Sequence, residues 1–326
     1  MDNDESLRDP NSGHGVTGLL CGFAGLRSIA ILRARSADRP TQLNLAALNG
    51  KLPADEKKGW QVENLLHEIG GKIMKLGIVT YMWGADWDLP TLIKNCEATG
   101  FEGVELRSTH KHGVEPSLSK EQRAEVRKRF ADSKVVCVGP GSACEYHSVD
   151  HGKLQQNIDL TKEFVLLSKD IGGSGVKVRP NGFNKGEEEK KTIERMGLAL
   201  RECGQFAAEH GQEIRVEVHG NGTQKPAVMR DILKVADHPQ VVACWNSNPG
   251  ETINGSLKPS FDLLKDKLGS TTHIHDLYDA DYPYRELFAL LKGINYKGWC
   301  LSESPATTDT VRVMRYYRAL FDELTK

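Results

Sequence analysis

The stretch 214–220 reads Ile-Arg-Val-Glu-Val-His-Gly, and its apolar residues alternate with Arg215, Glu217 and His219. A two-residue period is that of a β-strand. It puts Arg215, Glu217 and His219 on one face, with Ile214, Val216 and Val218 on the other. A carboxylate and an imidazole near a strand end, just before the Gly-Asn-Gly turn at 220–222, can move protons or hold a cation. Taken alone, the same pattern also describes a half-buried strand with one solvated face. Other short apolar stretches end in similar chemistry: Glu105 and Arg107, Lys177 and Arg179, Asn246 and Asn248, His273, His275 and Asp276, and Glu303.

These groups can work together only if a scaffold gathers the strand ends. From Met74 onward the chain alternates regularly between strand and helix patterns. Strands are predicted at 75–81, 103–107, 134–139, 175–179, 214–220, 241–245, 272–277 and 298–303. Helices follow them near 89–99, 120–132, 154–171, 187–210, 227–236, 260–267, 284–292 and 308–324. Gly100 and Gly211 sit where helices should stop, Ser117 or Ser119 can cap the second helix, and Pro226 suits a first turn.

Strand–helix alternation implies parallel strands joined by crossover helices. Eight units within about 250 residues point to a closed (β/α)8 TIM barrel. An open doubly wound sheet would bring a glycine-rich phosphate turn after its first strand, whereas this strand ends in Thr80-Tyr81-Met82-Trp83. In a barrel the active site lies at the C-terminal strand ends. Two carboxylates, an imidazole and an amide from four consecutive strands can then converge on one point. An oxygen-rich set with one histidine suits Mn2+, Mg2+ or Co2+ better than a structural zinc site.

Composition narrows the function classes. The 326-residue chain has a net charge of -1, without the basic excess expected of a nucleic-acid-binding protein. Its seven cysteines are scattered without a C-x-x-C pair, which reads as buried reduced thiols in a cytoplasmic protein. No apolar run reaches the roughly 18 residues of a membrane span. The segment 16–32 is interrupted by Arg27 and glycines and follows acidic residues, the wrong sign for a signal peptide. Cys21 lacks the small preceding residue of a lipidation site.

Residues 1–73 show no sustained period apart from a short amphipathic segment near 60–68. They are expected to form a poorly ordered N-terminal extension, with residues 74–326 forming the barrel domain. A second expectation is that the extension is not native, because Gly70-Gly71-Lys72 can be back-translated into a ribosome-binding sequence just before Met74.

With these segments in view, the chain from Met74 onward resembles the xylose-isomerase-like barrel family of sugar phosphate isomerases and epimerases. The matching segments are Val-Glu-Val-His at 216–219, Cys-Trp-Asn at 244–246, His-Ile-His-Asp at 273–276 and Gly-Trp-Cys-Leu-Ser-Glu at 298–303. In that family Glu, Asp, His and Glu from strands five to eight hold one divalent metal. The resemblance therefore implies Glu217, Asn246, His273 and Glu303 as metal ligands. Asn246 departs from the family's aspartate and removes one negative charge from the ligand set. His275 stands where the family often carries a lysine.

The chemistry implied is isomerisation or epimerisation of a small sugar or sugar derivative, by proton transfer through a metal-bound enediolate. Glu217 and Glu303 would exchange the proton as base and conjugate acid. His219, Lys177, Arg179, His275, Glu105 and His147 are the candidate substrate-binding residues, with His147 in a loop that can cover the pocket. Glu105 and Arg107 can alternatively form only an ion pair at the barrel mouth. Two other readings use the same residues: a lyase or dehydratase acting on a polyol or related acid, and a sugar-binding protein whose metal site is degenerate at Asn246. The expected partner is a small carbohydrate, with no nucleic acid and no membrane; self-association into a homo-oligomer is left open.

Overall fold

The computed structural model describes residues 74–326. The expectations for residues 1–73, including Cys21 and the helix near 60–68, lie outside the described residues.

Eight strands alternate with eight α-helices: β1 (Lys75–Val79), α1 (Leu89–Thr99), β2 (Gly103–Arg107), α2 (Lys120–Ala131), β3 (Val136–Glu145), α3 (His151–Ile171), β4 (Gly175–Arg179) and α4 (Glu189–Glu209). The second half holds β5 (Glu213–Glu217), α5 (Pro226–Ala236), β6 (Val241–Trp245), α6 (Lys258–Leu264), β7 (Leu268–Ile274), α7 (Tyr284–Gly293), β8 (Trp299–Ser302) and α8 (Thr310–Leu324). The strands pair in parallel and in chain order, and β8 closes onto β1 to complete the barrel. Local signals set the helix ends. The Asp88 side chain accepts from Thr91 N at the start of α1, and Gly100 ends that helix with a left-handed φ of 75°. Of the two serines considered for α2, Ser119 is the cap, in a reciprocal pair with Gln122.

β3 is longer than expected. The Gly139-Pro140-Gly141 run looks like a strand stop, yet the strand continues to Glu145. The register with β2 skips Val138, Gly139 absorbs that irregularity at φ 141°, and Pro140 resumes the pairing opposite Leu106. β7 begins four residues earlier than its sequence pattern, at Leu268, which pairs with Ala243 of β6; Ser270 also donates to Glu213 of β5 (Oγ to Oε2, 2.6 Å). β5 ends at Glu217, which places His219 in the following loop.

The outward strand faces carry Ile78, Val104, Val176, Ile214 and Val216, packed against helix residues such as Leu92, Phe164, Leu200, Ile232 and Phe321. Each such burial contributes about 1.5–3 kcal/mol. The inward face is different. Val79, Val138, Trp299 and Leu301 form a separate apolar cluster. Gly103 has no Cβ where the Trp299 ring passes; a Cβ there would lie 2.6 Å from the ring. Arg215 shares the face of Glu217 but lies two residues earlier, fully buried. It donates to Glu213 Oε2 (3.0 Å), Val138 O (3.1 Å) and Ser174 Oγ (2.6 Å), so it braces the barrel interior.

The cysteines at 96, 137, 144, 203, 244 and 300 are free and buried, as the scatter of thiols suggested. Among the described residues no helix is long and apolar enough to cross a membrane.

Candidate functional site

The C-terminal strand ends surround a cavity of about 600 Å³. Glu217 reaches it from the end of β5, and Asn246, His275 and Glu303 each follow their strand by one residue. His273 lies on β7 just beneath, wholly buried. One ligand atom each from Glu217, His273 and Glu303 falls within 4.8 Å of the others. His273 Nδ1 is 3.2 Å from Glu303 Oε2 and 3.8 Å from Glu217 Oε1. It makes no aligned hydrogen bond with either, and the buried Oδ1 of Asn246 also lacks a partner. The Asn246 amide nitrogen is the atom turned toward Asn248, 3.5 Å from its Oδ1. Ligand atoms of Glu217, His273 and Glu303 therefore gather at one place, and Asn246 of the same cavity carries an unpaired oxygen where buried polar atoms are normally paired. Three oxygens and one nitrogen of this kind suit a hard divalent cation.

Charge around the site is arranged unevenly. Lys177 Nζ donates to Glu217 Oε2 at 2.8 Å, and both side chains are 3% exposed. Burial alone would raise the Glu217 pKa, but the Lys177 ammonium and then His273 outweigh it and bring it to about 2. Burial likewise works against the Lys177 charge, and Glu217, Glu105 and Glu303 overcome it to leave the ammonium's pKa raised. Glu303 is held well below the usual carboxylate range, with His273 overcoming the effect of burial. On its open side Glu303 meets Arg107 and His275, each at 3.8 Å. The Arg107 guanidinium stacks over the Tyr81 ring at 4.7 Å, which holds it at the cavity edge.

The expected substrate-contacting residues separate into two groups. Arg179, His219 and His275 line the cavity. Of these, Arg179 is tied to Glu145 at 2.8 Å, whereas His219 Nδ1 is without a partner. Lys177 also lines it, but its ammonium is engaged by Glu217, so its contact is with a carboxylate of the site itself. Glu105 corrects the expectation of a substrate contact or a mouth ion pair. It is fully buried, does not line the cavity and faces His273 Nε2 at 3.3 Å, while Arg107 turns to Glu303. His147 is absent from the lining as well: its Nδ1 lies 3.9 Å from Glu145 Oε2, and its carbonyl accepts from Asn184 and Arg195, anchoring the loop beside the cavity.

Some residues near the site carried no readable sequence signal. Gln224 and Asp279 line the cavity from loops with no periodic pattern. Glu251, wholly buried in the loop after β6, accepts from Tyr282 (2.5 Å) and Asn248 (3.0 Å), and Asn248 in turn donates to Val218 O. Burial pushes the Glu251 carboxyl up to about 7 against those hydrogen bonds. Tyr81 is the exception: it stands in the strand-one terminus that the sequence reading used only to exclude a phosphate turn.

A model of the xylose isomerase-like TIM barrel family matches residues 93–320. No curated protein sequence matches the chain. Solved structures share the fold. An L-ribulose 3-epimerase superposes with a TM-score of 0.66 at 16% identity, over 77% of this chain and 94% of its own. The 3-keto-D-glucoside 4-epimerase YcjR from E. coli gives 0.64 at 14%, over 77% and 99%. The IolI protein, with a bound zinc atom, gives 0.61 at 14%, over 77% and 98%.

Proposed function

The chain belongs to the xylose isomerase-like TIM barrel family, and from that premise we propose that it is a divalent-metal-dependent isomerase or epimerase of a small sugar or sugar derivative. The observation that carries the reading is the gathering of Glu217, His273 and Glu303 donor atoms within 4.8 Å, in a cavity that Asn246 also lines. Glu217, Asn246, His273 and Glu303 would hold Mn2+, Mg2+ or Co2+. A bound cation of this kind stabilises negative charge developing on neighbouring carbonyl and hydroxyl oxygens.

The remaining work falls to the chain's own groups. Glu217 and Glu303 both approach His273 from its Nδ1 side; with one as carboxylate and the other protonated, the first can take a proton from a substrate carbon while the second gives its own up. His219, whose ring is part of the cavity lining, can hydrogen-bond a sugar hydroxyl. Arg107 and His275 press on the open side of Glu303 and keep its charge directed into the cavity. The cavity of about 600 Å³ is of the size that takes a small molecule.

The test combines metal analysis with deuterium exchange. Purified protein should bind about one Mn2+ per chain after dialysis, and should exchange substrate carbon-bound hydrogen with D2O across a panel of ketoses. E217Q and E303Q should each lower that exchange by about 10²–10⁴-fold while keeping the parent's circular dichroism. Undiminished turnover in both variants would overturn the proposal. So would tight sugar binding by a protein that takes up no metal, which is the behaviour of a degenerate site.

A further inference from the structure

Glu105 is a wholly buried carboxylate to which the proton-transfer scheme assigns no task. Neither of its oxygens makes an aligned hydrogen bond, and its ion-pair partner is His273, whose Nε2 lies 3.3 Å from Oε1. Water cannot reach this carboxylate, so an N–H of the imidazole is the group at hand to stabilise it. The barrel makes room for the arrangement: a Cβ on Gly141 of β3 would stand 2.7 Å from Glu105 Oε1. Both ring nitrogens of His273 are thereby directed, Nε2 toward Glu105 and Nδ1 toward Glu303 and Glu217. A ring turned over would put carbon atoms against three carboxylates.

We infer that Glu105 is a positioning residue for His273: its carboxylate faces Nε2 as the acceptor for Nε2–H and leaves the Nδ1 lone pair facing Glu217 and Glu303. The inference rests on the metal-site reading of these residues. A histidine that binds a metal through one nitrogen ordinarily gives the other N–H to a carboxylate or carbonyl, which fixes its tautomer and strengthens it as a ligand. Glu105 also answers the charge question raised by Asn246. Two buried carboxylates, Glu105 and Glu217, and the partly exposed Glu303 stand near one buried ammonium, Lys177. A divalent cation would add its charge to those of Lys177 and, at the cavity edge, Arg107. The charge missing at Asn246 is carried one residue farther from the cation, behind His273.

The experiment is Mn2+ titration of the parent, E105Q and E105Q/N246D by calorimetry, paired with crystal structures of metal-free parent and E105A protein. E105Q should bind Mn2+ about 10–100-fold more weakly than the parent, with an unchanged melting temperature. E105Q/N246D should regain most of the loss, because it restores a carboxylate at the ligand position. In E105A the His273 ring should leave the orientation it holds in the parent. Equal Mn2+ affinity in parent and E105Q, or an unmoved ring in E105A, overturns the inference. Should E105A fail to fold, the near-isosteric E105Q still decides the matter by its affinity. A parent that binds no Mn2+ breaks the functional reading instead, and the ring comparison then tests Glu105 alone.

Discussion

Glu217 and Glu303 flank one imidazole, yet their surroundings have little in common. Glu217 is sealed in, 3% exposed, with a buried ammonium 2.8 Å away. Glu303 is 11% exposed, and its neighbours Arg107 and His275 are 3.8 Å off and themselves 27% and 36% exposed. The difference follows from position along the strands. Glu217 is the last residue of β5 and still points into the barrel, where Lys177 of adjacent β4 also points. Glu303 lies one residue beyond β8, where the inward direction opens into the cavity. What the contrast teaches is that two chemically identical groups at one cavity can be held in very different surroundings, one sealed against an ammonium and one open at the rim. Burial and partner distance separate them.

Substitutions can break that comparison. The largest effect on stability is expected at Lys177. K177M strands the Glu217 charge in the interior and should cost about 3–5 kcal/mol in urea denaturation. On the open side, R107A should cost under about 1 kcal/mol, since its pair with Glu303 is long and partly solvated. Equal losses in the two variants would erase the distinction. E217Q should also be less stable than E303Q, because only the former leaves a buried ammonium without its counter-charge.

A smaller effect concerns pH and the hidden carboxyl behind the β6 loop. The Glu251 pKa is raised in the folded protein from 4.5 to about 7. A carboxyl raised on folding favours the native state while protonated. Its contribution is therefore whole below pH 4.5 and is lost as pH climbs through about 7, amounting to about 3 kcal/mol. E251Q should flatten that part of the stability profile, and an unchanged slope between parent and variant would show that Glu251 does not titrate there. At the ligand position, N246D should tighten Mn2+ binding by about tenfold, or about 1.4 kcal/mol. Unchanged affinity would mean that residue 246 does not face the cation.

The barrel was legible because its signals are local and repeated. Alternating apolar residues, Gly100 at a helix end and Pro226 at a helix start report on a few neighbouring residues, and the structure uses them as read. Where a local signal competed with pairing, pairing won: Gly139-Pro140-Gly141 reads as a stop, but β2 and β4 on either side keep β3 extended through it. At the site, the strand-end positions of Glu217, Asn246, His273 and Glu303 could be read from spacing. The tasks of Glu105 and Lys177 could not, since alternation says only that both point inward.

The one-dimensional pattern by itself determined the (β/α)8 architecture and which residues stand at the rim, because periodicity and chain order are properties of neighbours along the chain. Only the tertiary structure decided which inward group meets which. Glu105 turned to His273 instead of Arg107, and Lys177 closed on Glu217 instead of facing the cavity. Those choices depend on strand stagger, on the space left by Gly141, and on the need of each buried charge for an opposite partner. None of these is expressed along a single strand.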